Sequence, residues 1–371
     1  MVVCAHNEER VVGDIIRNLQ DIHYPKDLYD IYVIADNCSD RTAEISRELG
    51  AIARERNHKL QIGKGYGIEW FLDQLWKLEG EGKVYDAVAI FDADNLVIHN
   101  FLQQVNSKID QGHEVIQAYL DSKNPNDTWI TKSYAFSYWA ASRIYQTARE
   151  NIGLSAQLGG TGMIFSGEIL KEMGWGAKSL TEDLEFTVKY IVEKGRKVAW
   201  LHTAKIYDEK PLKMKQSYVQ RIRWMKGHFY CAFRYAKPLI HKIVKAKGSR
   251  WIALDVLIYL FQPALFVLAL SGLALLGLSV FEPLPLWVPK YVHNSYIWLS
   301  VLIPFYLLPI IGLLLENQWK RVWWFLYLYI FSCTWIPIVA YSIFKRNEKT
   351  WSHTQHTRSM DNKEFMQEGG F

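Results

Sequence analysis

The sequence predicts an α/β protein: a mostly parallel sheet, then a basic amphipathic helix, then apolar C-terminal helices. Three observations lead there. Short apolar runs alternate with helix-period segments through about residue 210. One of those runs, Val88–Phe91, ends in two carboxylates on alternate residues, Asp92 and Asp94. Beyond residue 250, the segments Leu254–Val280, Ser295–Leu315 and Val322–Phe344 are almost free of charge. Each reaches or exceeds the roughly 20 residues a membrane-spanning helix needs.

In chain order, Val2–Ala5 is a first buried strand and Glu9–Gln20 a helix. Ile31–Ala35 is a second strand, followed by a helix over Thr42–Leu49 for which Ser39 or Asp40 can cap. Ala51–Arg54 is a third strand ahead of the helix in "GKGYGIEWFLDQLWKL". The run ending at Asp92, rich in β-branched and aromatic residues, reads as a strand buried on both faces. A helix around Phe101–Ile109, a strand Glu114–Leu120 and an aromatic-rich helix over Ile130–Asn151 follow. In "LGGTGMIFSG", Gly159, Gly160 and Gly162 allow close backbone approach to a ligand, or form a plain turn. "SLTEDLEFTVKYIVEKG" is a helix with Thr181 as candidate cap, Glu182 and Asp183 in its first turn and Gly195 beyond its end. Acids there can act merely as dipole partners.

From Pro211 to Arg250 there are eleven Lys/Arg and no Asp/Glu, a block suited to phosphates or anionic lipid headgroups. Within it Val219, Ile222, Met225, Phe229 and Phe233 recur at spacings of three and four, with Arg221, Lys226 and Arg234 elsewhere on the wheel. That pattern predicts an amphipathic helix lying on a membrane surface and ended by Pro238. Trp251, Trp287, Trp298, Trp319, Trp323 and Trp324 near the apolar segments suit interfacial belts. The expected division is 1–210 as the α/β unit, 211–250 as the interface segment, 251–345 as a membrane region of two to three helices, and 346–371 as a polar tail. The net charge is a modest +5, and the four cysteines form no CxxC pair, which suits a reducing compartment. No cleavable signal peptide precedes the first strand.

Asp92 and Asp94 stand where open α/β sheets bind ligands, outside the carboxyl ends of their strands. Such a pair can grip one hard divalent cation together with a nucleotide's phosphates, or form a polar turn that caps the next helix. No GxGxxG follows the first strand, where His6, Asn7, Glu8 and Glu9 stand instead, which disfavours a nicotinamide dehydrogenase.

The motifs "AHNEE", "ADNCSDRT", "GKG", "FDADN", "GGTG", "TEDLE" and "QRIRW", in this order, resemble the family 2 glycosyltransferases with a GT-A nucleotide-sugar-binding fold. The likeness is greatest to the membrane-embedded branch related to hyaluronan, chitin and poly-N-acetylglucosamine synthases, and it spans about residues 2–230. It implies an inverting transfer from a UDP-sugar to a saccharide or lipid acceptor, forming a β-linkage at the cell membrane, with several membrane crossings and the catalytic domain in the cytoplasm. By the same resemblance Asn7, Glu8 and Asp36 meet the uridine, Lys64 lies near the nucleotide, and Asp92 and Asp94 frame Mg2+ or Mn2+ and the sugar nucleotide. Asp183 matches the general base, with Glu182 the first alternative. Gln220, Arg223 and Trp224 match the QxxRW signature, Arg223 towards the departing diphosphate and Trp224 towards a sugar ring. Membrane lipids are expected partners and nucleic acid is not.

Most membrane-embedded relatives carry a helix before the catalytic domain, so a truncated or mis-started reading frame is expected here. The tail is expected on the cytoplasmic side, with Val322–Phe344 and its Pro337 forming a hairpin or interfacial helix. A non-catalytic membrane partner that senses a nucleotide is the alternative, and the presence of Asp94, Asp183 and Arg223 argues against it.

Overall fold

The computed structural model describes residues 1–79, 82–245, 248–278, 300 and 307–348. Through its first half the chain alternates as its pattern predicts: β1 (Val2–Ala5), α1 (Val12–Gln20), β2 (Tyr32–Asp36), α2 (Thr42–Glu48), β3 (Ile52–Arg56), α3 (Lys64–Glu79), β4 (Ala87–Asp92), β5 (Leu96–Val97), α4 (Phe101–Asp110), β6 (Val115–Ser122) and α5 (Trp129–Ala141). After α5 come a π-helical turn and a short α6 (Ala148–Asn151), then β7 (Met163–Ser166), α7 (Gly167–Met173), α8 (Glu182–Lys194), β8 (Ala199–Asp208), α9 (Met214–Lys245) and α10 (Arg250–Leu278). The strands form one sheet in the order β3-β2-β1-β4-β7-β6-β8-β5. β3, β2, β1 and β4 are mutually parallel, as are β6 and β8, while β7 and β5 run antiparallel to their neighbours.

Side chains alternate across a strand, so a strand covered on both sides feeds two cores. Ala89 and Phe91 of β4 pack with Ile15 and Ile16 of α1 and Phe101 of α4, whereas Val88 and Ile90 pack with Phe71 of α3, Phe136 of α5 and Phe186 of α8. The apolar run before Asp92 is therefore buried on both faces, and its carboxylates emerge at the rim. β5, β7 and β8 have no counterpart among the strands expected from the sequence. β7 is four residues long and follows the glycines directly, and β8 mixes His202, Thr203 and Lys205 into its apolar residues.

The helix starts differ in one detail. Just ahead of α2, whose cap position is Arg41, Asp40 Oδ1 accepts from the Thr42 amide (3.1 Å), whereas Thr181 makes no side-chain cap on α8. Its hydroxyl instead faces α9, where a Cβ on Gly227 would come within 2.4 Å of Thr181 Oγ1. Only glycine lets α9 cross this close to the start of α8.

α9 departs from expectation in two ways. It runs 32 residues, straight through Pro238. The lost backbone bond is offset by packing of Leu239 against α8 and α10 and by Lys242 Nζ donating to the Val192 carbonyl (2.8 Å). The surface-lying face is also displaced. Met225 and Phe229 are buried, and so are Arg221 and Lys226, which the wheel puts on the polar side. Arg221 lies over the rings of Phe331 (4.2 Å) and Trp335 (4.9 Å) and donates to Thr334 Oγ1 (2.7 Å). The exposed apolar stripe is Phe233, Ile240 and Val244, flanked by exposed Arg234, Lys237 and Lys245, in the C-terminal half of the helix.

By length and composition, Arg250–Leu268 and Trp319–Phe344 could each cross a membrane. Most of the expected Ser295–Leu315 segment lies outside the described residues, as does the polar tail beyond residue 348. The last apolar segment is broken into a 3-10 turn, Trp319–Trp324, and two helices, Phe325–Cys333 and Trp335–Phe344, meeting at Thr334. Pro337 has no N–H for the Cys333 carbonyl, which accounts for the break. Phe331 packs on Tyr134 of α5 (5.1 Å), and Ile338 and Val339 pack with Met225 and Phe229 of α9.

Candidate active site

The carboxyl ends of β1, β2 and β4, the start of α3, the glycine loop before β7, the start of α8 and one side of α9 enclose a cleft of about 730 Å³. At the β2 end, Asp36 is paired in register with Arg56 on β3, and their side chains form an ion pair (2.7 Å). Burial pushes the Asp36 carboxyl above its usual range despite the Arg56 charge. His6 Nδ1 donates to the Asp36 carbonyl (2.7 Å), tying the first loop to the second.

At the β4 end, the Asp92 amide donates to Asn95 Oδ1 (3.0 Å) and Thr161 Oγ1 (3.1 Å), which fixes the turn. The Asp92 carboxylate pairs with Lys64, whose Nζ also donates to the Gly160 carbonyl (2.5 Å). Burial opposes the Lys64 charge, but Asp92 and the neighbouring acids outweigh it and hold the ammonium above its ordinary pKa. Asp94 is buried, with Oδ2 accepting from the Glu209 amide (2.9 Å) and Oδ1 from Asn95 (3.2 Å). Beneath it, the buried Lys123 donates to the Asp94 carbonyl (2.8 Å). Asp208 raises the carboxylate density here: its own carboxyl is pushed up by burial and by the charges of Asp94 and Asp92, against the pull of Lys210.

Opposite these strand ends, Asp183 Oδ1 accepts from the Leu184 amide (2.8 Å) at the start of α8. Burial raises the Asp183 carboxyl, against the charges of Lys64 and Arg223; burial and the adjacent Asp183 push Glu182 up to about 7. Two acids, two cations and a helix start thus face one space, and a carboxyl poised near neutrality is suited to proton transfer. Glu185 anchors the loop before α8, accepting from the Lys178 and Ser179 amides (both 2.8 Å). From α9, Gln220 accepts from the Tyr134 hydroxyl (3.4 Å), and Trp224 meets the Tyr134 ring edge-on (6.3 Å). Arg223 Nε is buried with no hydrogen-bond partner among the described residues.

Glu8, Asp36, Lys64, Asp92, Asp94, Glu182, Asp183, Gln220, Arg223 and Trp224 all line this one cleft. Asn7 does not. Its φ is +55°, and its Oδ1 accepts from the Ser39 amide (2.7 Å), so it clasps the first two loops together. Asp208, Tyr138, His228 and Tyr259 are among the wall residues that no sequence motif singled out. Arg56 was not singled out either, although its place at the end of the strand beside Asp36 is a usable signal.

Could the strand-end acids hold a metal? Among the described residues no three His, Cys, Asp or Glu side chains are grouped to hold an ion alone. Asp92 and Asp94 are hard oxygen donors at the cleft, and Mg2+ commonly takes one or two carboxylates plus substrate phosphates. The donor set therefore fits a cation completed by a ligand.

Comparison with known proteins identifies relatives and a shared fold. The "Probable glycosyltransferase YdaM" of Bacillus subtilis strain 168 is 26% identical over 359 residues, covering 93% of this chain and 81% of that protein. A "Beta-monoglucosyldiacylglycerol synthase" of Trichormus variabilis is 27% identical over 240 residues, or 62% of this chain; the match spans about half of that protein's length (48%). Among solved structures, the mannosyltransferase PcManGT of Pyrobaculum calidifontis, in complex with GDP-Man and Mn2+, shares the fold with a TM-score of 0.58 at 15% identity, covering 94% of this chain and 87% of that one. A profile described as "Glycosyltransferase like family 2" matches residues 1–227, more than half of the chain, and the chain belongs to that family.

Proposed function

We propose that the protein is a membrane-bound, inverting glycosyltransferase that moves a sugar from a UDP-sugar to a saccharide or lipid hydroxyl and forms a β-linkage. The observation that carries this reading is the buried, unpartnered Nε of Arg223, which shares the cleft with Asp183, Glu182 and Lys64. A fixed donor without an acceptor suits an anionic ligand, and guanidinium suits a diphosphate. In the proposed reaction Asp183 takes the proton of the acceptor hydroxyl, whose oxygen forms the new bond to the anomeric carbon. The bond from that carbon to the diphosphate breaks, and UDP leaves with the electron pair towards Arg223 and Lys64. Glu8 and Asp36 hold the uridine, Trp224 and Gln220 border the sugar or acceptor, and Asn7 holds the loop that carries Glu8.

Asp92 and Asp94 would hold Mg2+ or Mn2+, which when bound offsets charge on the diphosphate. The structure of the Pyrobaculum enzyme with GDP-Man and Mn2+ supports that assignment. The Trichormus relative, a beta-monoglucosyldiacylglycerol synthase, supports the β-linkage and the lipid arm.

The proposed organisation keeps residues 1–210 as the catalytic unit on the cytoplasmic side, 211–250 as interface, 251–345 as membrane region and 346–371 as tail on the same side as the catalytic unit. A panel of radiolabelled UDP-sugars in membranes containing the protein tests the reading. Transfer of label with a β-configured product, lost on chelation and in Asp94→Ala, is the expected result. Undiminished transfer in chelator, or an α-linked product, contradicts it.

A further inference from the structure

The wall of the cleft changes character along its length. Strand ends and polar loops form one side. The α9 side carries Trp224, Met225 and His228 beside Gln220 and Arg223, and α10 adds Tyr259. α10 therefore belongs to the reaction chamber, and it is also one of the two helices apolar enough to cross a membrane, with only 17% of its apolar window buried.

Helical phase separates its faces. Asp255, Tyr259 and Gln262, at i, i+4 and i+7, face the catalytic domain. Arg149 grips both oxygens of Asp255 (2.8 and 3.0 Å), the Tyr145 and Tyr259 rings lie 5.7 Å apart, and the Tyr145 hydroxyl donates to Gln262. On another side Ala253, Val256 and Leu260 are buried against α8 and α9. Trp251, Ile258 and Leu265, spaced by seven, form a third stripe that is 61%, 54% and 54% exposed. Ile258 precedes Tyr259 and so lies about 100° from it around the axis. At the height of Tyr259, the exposed apolar stripe borders the cleft wall.

Two further features agree. Trp224, in the cleft, packs in one apolar cluster with Ala264 and Val267 of α10 and with Trp335 and Ile338. The exposed face of α9 combines Phe233, Ile240 and Val244 with Arg234, Lys237 and Lys245, a composition suited to an anionic bilayer surface.

We propose that the acceptor is a membrane lipid, whose headgroup hydroxyl reaches Asp183 past Tyr259 while its chains lie along the Trp251–Ile258–Leu265 stripe of α10. This rests on the glycosyltransferase reading and narrows its acceptor. The oxygen attacked onto the anomeric carbon is then the lipid hydroxyl, its proton passes to Asp183, and UDP leaves.

The test uses the full chain in phosphatidylglycerol vesicles with and without 1,2-dioleoylglycerol, a minimal two-chain amphiphile with one free hydroxyl. Vesicles of total host lipid extract and a soluble β-linked oligosaccharide provide two further arms. Labelled UDP-sugars are supplied, UDP release is measured, and label is counted separately in the chloroform-soluble, water-soluble and polymeric fractions. Chloroform-soluble label that depends on dioleoylglycerol or on the host lipids is expected. Tyr259→Ala lowers that label about tenfold or more. In a surface-dilution assay Ile258→Ser raises the apparent KM for lipid about fivefold and leaves kcat within about twofold. Label confined to the oligosaccharide or polymer, or UDP release with no labelled lipid in either vesicle type, overturns the lipid acceptor and leaves the glycosyltransferase reading standing. No UDP release from any donor overturns that reading itself.

Discussion

At the strand-end side of the cleft, Asp36, Asp92 and Asp94 each already hold an ion pair or hydrogen bonds from neighbouring loops. On the helix side, Arg223 Nε is buried with no hydrogen-bond partner among the described residues. Buried polar groups are ordinarily satisfied, so an orphan beside a cleft marks a place for a ligand. The difference separates acids whose geometry is already fixed by protein partners from a guanidinium with a donor left open to a ligand. Substitutions on the two sides should therefore fail differently.

On the helix side the largest effect is expected at Asp183. Asp183→Asn keeps the shape and removes the base, so transfer falls by about 10²-fold or more while UDP-sugar affinity changes little. Near-normal turnover would move the role to Glu182; a large loss of affinity in calorimetry would make Asp183 structural.

A matched pair of arginine substitutions sharpens the contrast. Arg223→Gln lowers kcat/KM by about 10- to 100-fold, as loss of a charged hydrogen bond to the diphosphate predicts, and leaves the melting temperature nearly unchanged. Arg56→Met strands the Asp36 carboxylate in its buried site, at about 1–3 kcal/mol of stability measured by denaturant unfolding. Equal melting losses in the two variants would erase the distinction.

The smallest effect is a shift in pH dependence. The base works only when ionised, and burial raises both Asp183 and Glu182, the latter to about 7. The kcat/KM profile should rise with pH through a limb near 7 that belongs to the pair. Glu182→Gln removes the charge beside Asp183 and moves that limb to lower pH; an unmoved limb would show that the pair does not govern it.

How much of this could be read from the chain followed from locality. Asp92, Asp94, Lys64, Asp183 and Arg223 each sit in a short motif whose place at a strand end or on a helix can be inferred from its own neighbours. Tyr259 stands in an apolar segment and reads as an interfacial aromatic; only the packing of α10 on the catalytic domain brings it to the cleft. Lys123 follows a strand buried along its whole length and gives no local sign that it lies under Asp94. Asn7 misleads in the opposite sense, since its motif points to the ligand while its left-handed backbone and its bond to Ser39 make it a clasp. Arg221 and Lys226 mislead likewise: the helical wheel knows only one helix, and α9 is covered on several sides.

The helix that begins with Glu182 and Asp183 buries its other flank, Leu184, Val188 and Ile191, against Cys231, Ala232 and Leu239 of α9 and Ala253, Val256 and Leu260 of α10. The family profile stops at residue 227, partway along α9. A fragment cut there, or at 210, would lay that apolar flank bare beneath the proposed base. The apolar helix α10 and the helix that carries the proposed base are in this sense one mechanical part. A chimera that grafts this catalytic unit onto a foreign membrane anchor would have to carry α9 and the first turns of α10 with it.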